Sequence, residues 1–473
     1  MKQYKNQYFS IFFLCLFFTG MQSVAQESYL LKELRIPQVV EENPGAVVPY
    51  DAHVSLPVLG KVHVGANSPL SWGDIFYITD GLLDKMNQNS AIRGWGQCDV
   101  INFGFRTNKK NYFTISATVK ADANVIFQKD LFGLIIEGNN RPENENLSFV
   151  KNNFISMTSY VEFGLGYNRE FNENASFGVS AKYLSGLANA YTKKSDLYLT
   201  TGENYHELIL NQNIQGYFSA VSDIDVERDE NGNIKYDEEG KVRFKKLSSF
   251  SDMMRNLKNH GFSLDVGGRY KINDFFEISA SVLDIGFIKW QTYTKQYDVS
   301  DKPFSFNGYK TEESIFEESD KTYKDKIEEY FKKLGDSLVN HFASEIEPTS
   351  SYTKMLNTRF NVGFSIYASS DDRFNLNFRG IFINGVFAPS GSVSYHRNVG
   401  KWFDFVVGNT FKPNALLNPG LGVNFTLSVF QLYAAVDYTN TLLYIDRAKN
   451  LNVAVGINFV APLGNAFKAS YLY

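Results

Sequence analysis

A regular alternation of apolar and polar residues recurs along this chain from about residue 97 to its end. Residues 112–120, for example, read Tyr-Phe-Thr-Ile-Ser-Ala-Thr-Val-Lys. Because successive side chains of a β-strand point to opposite faces, each such segment predicts a strand with one apolar and one polar face. The most regular segments lie at 101–106, 161–168, 177–183, 262–267, 276–282, 360–366, 374–378, 421–427 and 453–459. An all-β protein is therefore expected.

The polar faces of these strands favour a closed sheet over a soluble sandwich, which would show similar alternation. They carry Gly, Ser, Asn, Asp, Lys and Arg, which suit the wet interior of a barrel. Aromatic residues make up 15% of the chain, with 41 Phe and 28 Tyr, as expected for lipid-facing positions and interfacial girdles. We predict a transmembrane antiparallel β-barrel of about 14 strands, within roughly 12 to 16, because bacterial barrels favour even numbers.

The predicted connections alternate between short and long, as in outer-membrane barrels with short periplasmic turns and long external loops. Short turns rich in Gly, Asn and Asp are predicted at 108–111, 171–174, 273–274, 370–372, 398–401 and near 429. Long loops are predicted near 70–95, 137–153, 219–258, 299–350, 412–419 and 439–450. Two of these, 219–258 and 299–350, are inserts. Within the second, apolar residues spaced by three and four over 312–345 predict an amphipathic helix over one barrel mouth.

The first 25 residues have the pattern of a secretory signal peptide. Lys2 and Lys5 precede an apolar segment at 9–18, and residues 23–25 place small side chains before an expected cleavage at Gln26. The apolar segment is shorter than the roughly 20 residues of a membrane-spanning helix. Export and insertion into the outer membrane of a Gram-negative cell are therefore expected.

The C-terminal residues give two conflicting indications. Alternating side chains end on the aromatic Tyr473, which resembles the terminal strand recognised by barrel-insertion machinery. The turn count, however, already returns the chain to the periplasm near Val460. We expect a final strand over 461–473, with a short tail as the alternative.

Charged residues on the polar faces are the candidates for a functional role. Those predicted to face the interior are Glu162, Lys182, Asp265, Arg269, Glu277, Arg379 and Asp437. Interior charges can solvate the wall or brace it as ion pairs. They can equally contact a solute or a plug, and both roles stay open.

The sequence gives no indication of an enzyme, a cofactor or a metal site. It has neither the paired histidines of a zinc protease nor a nucleophile elbow nor a phosphate-binding loop. Outer-membrane lipid hydrolases use Ser and His on the outer wall, and His206 and His260 are the candidates for that alternative. Residues 227–238 resemble a calcium loop, but it begins with Glu227 where Asp is required. With 47 basic and 51 acidic residues, no nucleic-acid partner is expected.

Four short strings carry a resemblance to a known family: 54–60 at the predicted first hairpin, 129–132 with Gly138-Asn139, 283–290 and 456–459. They resemble an uncharacterised outer-membrane barrel family common in Bacteroidota, itself distantly similar to barrels of the long-chain fatty-acid transporter type. The resemblance implies a β-barrel over 51–473. By analogy with those transporters, it also implies an N-terminal segment, residues 26–50, that enters the barrel as a plug.

Pattern and resemblance together predict an integral outer-membrane β-barrel that binds or passes a small, amphipathic or hydrophobic solute. Its expected partners are outer-membrane lipid, the barrel-insertion machinery and that solute or a protein. The alternative is a non-transporting scaffold, a secretion or surface-assembly partner that docks other proteins on its inserts.

Overall fold

The computed structural model describes residues 29–71, 73–74, 82–137, 146–151, 154–201, 208–222, 257–300, 303–306, 346–383, 385–412, 417–439 and 447–462, with isolated positions between 227 and 245. The helices with defined bounds in these ranges are the 3-10 helices Leu31–Glu33 and Leu83–Lys85 and the α-helices Val39–Glu42 and Lys129–Glu137. No helix among the described residues has the length and apolarity needed to span a membrane.

All strands of the described chain belong to one antiparallel sheet. They are β1 (Tyr50–Ser55), β2 (Val62–Asn67), β3 (Asn89–Thr107), β4 (Asn111–Gln128), β5 (Asn146–Lys151), β6 (Ile155–Glu170), β7 (Ala175–Thr201), β8 (Leu208–Ala220), β9 (Asn259–Lys271), β10 (Phe276–Trp290), β11 (Lys295–Ser300), β12 (Phe304–Phe306), β13 (Ile346–Pro348), β14 (Tyr352–Met355), β15 (Arg359–Tyr367), β16 (Asp372–Ile383), β17 (Val386–Val399), β18 (Phe403–Phe411), β19 (Pro419–Leu427), β20 (Phe430–Val436) and β21 (Asn450–Pro462).

The sheet closes into a barrel of 14 strands, which confirms the predicted fold and strand number. Two wall positions are each filled by two strands in line. β1 and β2 both lie between β3 and β21, and β14 and β15 both pair with β10. The wall closes where β21 pairs with β1 and β2, so the described wall strands form a ring without an edge strand.

The in-line arrangement of β1 and β2 corrects one sequence interpretation. Residues 54–60 are not a hairpin, because β1 and β2 run in the same direction along β21. Residues 56–61 instead form an insertion within one wall strand. A turn with Val58 at φ 68° interrupts the extended backbone, and the strand then resumes.

A smaller set of strands extends the sheet beyond the wall at the long-loop end. β8 pairs with the second half of β7, and β11 and β12 pair with β8. β5 pairs with the end of β7, and β13 with β11. The predicted loop near 137–153 therefore contains a strand, and the predicted loop near 299–350 contains two short ones.

The two faces of the wall differ as the alternation predicts. On β6, Phe163 and Leu165 are 48% and 64% exposed outside, whereas Glu162 and Asn168 are 5% and 4% exposed inside. The same contrast holds around the wall, so large apolar side chains form an outer belt. Such a belt requires an apolar surrounding, as hydrocarbon provides.

Several sequence predictions concern residues outside the described part of the chain. They are the signal peptide at 1–25, the amphipathic helix at 312–345, most of the insert 219–258 with most of the calcium-like loop, His206, and the last residues 463–473. The described part of the C-terminus ends in β21, which is the closing strand of the wall.

Candidate functional site

The N-terminal segment, defined here as residues 29–49, lies inside the barrel. Its backbone and side chains contact inward-facing residues of wall strands on every side: β1, β3, β6, β7, β9, β10 and β15–β21. Only a chain inside the cylinder can reach all of them. The segment precedes β1 directly, so it enters the interior from the short-turn end.

Apolar packing fixes the first half of the N-terminal segment. Leu30, Leu31, Leu34, Ile36 and Val39 are at most 8% exposed and pack against wall residues of β18, β20 and β21. Those wall residues are Val406, Tyr433, Ala435 and Ala454. Burying five aliphatic side chains against a wall that is otherwise polar inside stabilises the segment by the hydrophobic effect, at about 1.5–3 kcal/mol for each full burial.

Three glutamates of the segment are bound to wall residues. Glu33 accepts hydrogen bonds from Arg373 and Asn377, each at 3.0 Å. Glu41 pairs with the fully buried Lys61 and accepts a 2.7 Å bond from the Asn102 amide.

The third glutamate, Glu42, lies deepest in the charge network. Its carboxylate is 2.6 Å from Arg379 and 3.7 Å from Arg359. A charge buried this deeply is tolerated only when it is paired, so these ion pairs fix the segment's position.

A glycine surface on β7 and β9 lets the backbone of the segment touch the wall. A Cβ at Gly178 would overlap the Pro44 carbonyl, and one at Gly267 would overlap the Asn43 side chain. Gly45 in turn lies against the Gly268 backbone. The Ser176 hydroxyl donates a 2.6 Å hydrogen bond to the Gly45 carbonyl, and the Asn168 amide donates a 2.6 Å hydrogen bond to the Pro44 carbonyl. Close approach of two backbones is possible only where side chains are absent.

Three of the predicted interior residues meet in one buried cluster. The Lys182 ammonium lies 2.6 Å from Asp265 and 3.2 Å from Glu162. Asp284, which the sequence analysis missed, is 3.1 Å from Lys182 and 2.8 Å from Arg359. Lys120, also missed, is 2.9 Å from Glu162 and 3.8 Å from Asp284. Through Arg359 this cluster reaches Glu42 and hence the N-terminal segment.

The other predicted residues lie elsewhere around the interior. Arg269 and Glu277 form a pair at 2.7 Å between neighbouring strands. Arg379 binds Glu42, and its guanidinium lies over the Tyr29 ring at 4.8 Å. Asp437 accepts a hydrogen bond from the Tyr29 backbone at 3.1 Å. Two of these residues therefore contact the N-terminal segment. No signal in the sequence marked Glu33, Glu41 or Glu42 as partners of wall residues, because the segment has no strand periodicity.

Aromatic side chains fill part of the interior toward the long-loop end. Trp290 and Tyr352 are buried with Tyr160, Leu184 and Ile288. Ring centroids of Tyr352 lie 5.2–5.6 Å from those of Tyr217 and Tyr191, which suits aromatic packing.

A cavity of about 600 Å³ remains beside the segment at the short-turn end. It lies between the segment and strands β9, β10, β15–β17 and β19, and residues of the turns 370–371, 401–402 and 428 line it. Lys32 projects beside it, and burial lowers the pKa of this ammonium to about 8. The volume is within the range of small-molecule sites, which is roughly 300–1,000 Å³.

The remaining candidates for chemistry do not form a site in the described residues. His260 lies on the outer face and contacts the Tyr183 hydroxyl at 2.5 Å. The other candidate in the hydrolase alternative, His206, is outside the described residues. Within the described part of the chain, no three of its His, Cys, Asp and Glu residues are placed to hold a metal ion.

The fold and its interior define a closed antiparallel β-barrel with an apolar outer belt and an N-terminal segment inside. The chain belongs to a family of unknown function (DUF5723), whose sequence profile matches residues 44–437. No curated protein matches the chain significantly by sequence.

Solved structures similar to this chain are themselves barrels. The Ralstonia pickettii toluene transporter TbuX is 8% identical, with a TM-score of 0.41, over 91% of this chain and 94% of its own. A Pseudomonas aeruginosa FadL homologue is 8% identical, with a TM-score of 0.41, over 93% and 100%. The Pseudomonas putida toluene transporter TodX is 6% identical, with a TM-score of 0.38, over 93% and 98%. Similarities this low do not identify what this chain binds.

Proposed function

We propose that the protein is an integral outer-membrane β-barrel that passes a small solute, and that the N-terminal segment is its plug. The observation that carries this proposal is the segment's position inside a closed cylinder with an apolar outer belt. A belt of this kind suits hydrocarbon, and a cylinder without unpaired edges satisfies its backbone hydrogen bonds in a membrane.

The interior supports a gated path better than a permanently open pore. The N-terminal segment fills the middle of the lumen, while the 600 Å³ cavity beside it is large enough for a small molecule. Passage of a solute therefore requires the segment to shift. The ion pairs of Glu33, Glu41 and Glu42 are the contacts that such a shift must break.

Solute flux into liposomes tests this function. We expect the triple variant Glu33→Gln, Glu41→Gln, Glu42→Gln to raise the swelling rate of proteoliposomes several-fold, because neutral amides hold the segment less firmly. Asp122→Asn is the control, since it removes a buried ion pair between wall residues only, Arg93 and Asp122. Equal flux in the triple variant, the control and the wild type, for sugars and for small amphipathic solutes, would contradict the plug.

The scaffold alternative is supported by a different observation. β8, β11, β12 and β13 extend the sheet of β7 beyond the wall at the long-loop end, where a partner protein could dock. Crosslinking in whole cells distinguishes the two functions. Capture of one specific protein, combined with flux that no variant of the segment changes, would favour the scaffold.

A further inference from the structure

The cavity beside the N-terminal segment has an unbalanced set of charges. Among its buried and partly buried carboxylates, Glu33 is bound by Arg373, Glu42 by Arg379, and Glu277 by Arg269 at 2.7 Å. These pairs neutralise the acids and occupy their guanidinium partners. A fourth carboxylate, Asp371, lies exposed at the rim.

Two cations of the segment are left over at the same cavity. Lys32 and Arg35 both line it, and in the described part of the chain their side chains make no hydrogen bond or ion pair. Both are only partly exposed. A cation held in a partly dry site without an ion-pair partner of its own is unfavourable, and a bound anion would reduce that cost. At the exposed rim, Lys401 and Asp371 offset each other's charge, so the excess positive charge is that of Lys32 and Arg35.

The rest of the lining limits the size and character of a ligand. Ala46, Val47 and Pro49 are partly exposed and present apolar surface, while Asn377, Ser279 and Ser365 present amide and hydroxyl groups. A cavity of about 600 Å³ is large enough for a small organic molecule. The turns that line it place its opening at the short-turn end, which is the periplasmic end of outer-membrane barrels.

We propose that this cavity binds a small amphipathic organic anion, whose carboxylate or phosphate lies between Lys32 and Arg35 and whose compact apolar body packs against Ala46, Val47 and Pro49. This inference rests on the proposed function, since it places the ligand of the transport path against the segment that must move. Charge-assisted hydrogen bonds from an ammonium and a guanidinium supply the selectivity for an anion over a neutral analogue.

Binding of three matched probes to the full-length protein in detergent tests the inference. The probes are 2-naphthoate, 2-naphthyl phosphate and the neutral 2-naphthol, measured at pH 7 by calorimetry. We expect at least one of the two anions to bind about tenfold or more tightly than the neutral probe, as loss of a charged hydrogen bond predicts. The preference between carboxylate and phosphate then identifies the head group.

Variants locate the site and control for misfolding. Lys32→Met and Arg35→Met should each weaken binding of the preferred anion about tenfold, whereas Lys32→Arg should retain it. Lys110→Met is the matched control, because Lys110 is an exposed lysine in another short turn, away from the cavity. It should bind as the wild type does.

Two results would overturn the inference: equal affinity for the anions and the neutral probe, or anion binding that Lys32→Met and Arg35→Met leave unchanged. The flux experiment keeps the two proposals separate. If flux is the same in the triple variant, the control and the wild type, the transport function is refuted even if anions bind. Absent binding with flux that still depends on the segment refutes only the ligand assignment.

Discussion

Asp284 is the residue on which the charges of the barrel interior converge. Its carboxylate lies within 4 Å of Lys120, Lys182 and Arg359. It occupies a β-bulge with φ 58°, a left-handed conformation that Asn tolerates nearly as well as Asp. Asp284→Asn therefore removes the charge with little backbone strain, and its effect reports on electrostatics alone.

We expect Asp284→Asn to lower the free energy of unfolding by about 3 kcal/mol or more, because three buried cations lose a shared counter-charge. Urea unfolding in lipid vesicles, followed by tryptophan fluorescence, measures the change. The control is Asp274→Asn, since Asp274 is 96% exposed beside Lys271 and an exposed pair contributes little. Equal stability of the two variants would show that the cluster does not brace the wall.

At this scale, the sequence predicts which charges point inward but not which of them meet. Glu162, Lys182 and Asp265 follow from strand alternation, because side chains two apart share a face. Their contacts depend on the stagger between strands, which alternation does not contain. Asp284 is not predicted to face inward because the bulge between Val282 and Ile285 shifts the phase of the alternation at this position.

At the scale of elements, the strands and short turns are largely predictable, while the insertion within the first wall strand is not. The predicted turns at 171–174 and 398–401 connect neighbouring strands as expected. Residues 186–201, which none of the most regular alternating segments covers, lie in the long strand β7. The residues 56–61 between β1 and β2 read as a hairpin because Pro57 and Gly60 are typical of turns. Only pairing with β21 shows that the chain continues in the same direction.

The contact between the N-terminal segment and the glycine surface can be tested by adding one methyl group to the wall. Gly178→Ala places a Cβ against the Pro44 carbonyl, so the segment must move away from β7. We expect a loss of stability of about 1–3 kcal/mol and a faster flux in proteoliposomes.

Gly216→Ala is the matched control for this change. Gly216 also lies in a strand, but its added Cβ would meet only ordinary contacts at 3.6 Å or more. It should leave flux as in the wild type. If Gly178→Ala behaves like Gly216→Ala in both measurements, the segment does not depend on this surface.

At the scale of the whole molecule, the closed barrel is predictable because each strand has the pattern that a membrane barrel requires. Its residues alternate between an outer apolar face and an inner polar face. The contents of the lumen are not. The N-terminal segment has neither period two nor a long helical period, so its place inside depends on contacts with residues hundreds of positions away, such as Glu42 with Arg379. Only the family resemblance predicts that this segment enters the barrel.

A reversible crosslink between segment and wall tests the account most directly. The Gln38 amide donates to the Ser55 hydroxyl at 3.1 Å, so cysteines at these two positions, in a Cys98→Ser background, can be joined by a short thiol crosslinker with a reducible bond. The account predicts that solute flux falls to the level of empty liposomes when the segment is joined to the wall. Flux should return when the same sample is reduced. Flux that is equal before and after reduction, in a protein shown to be fully crosslinked, would contradict it.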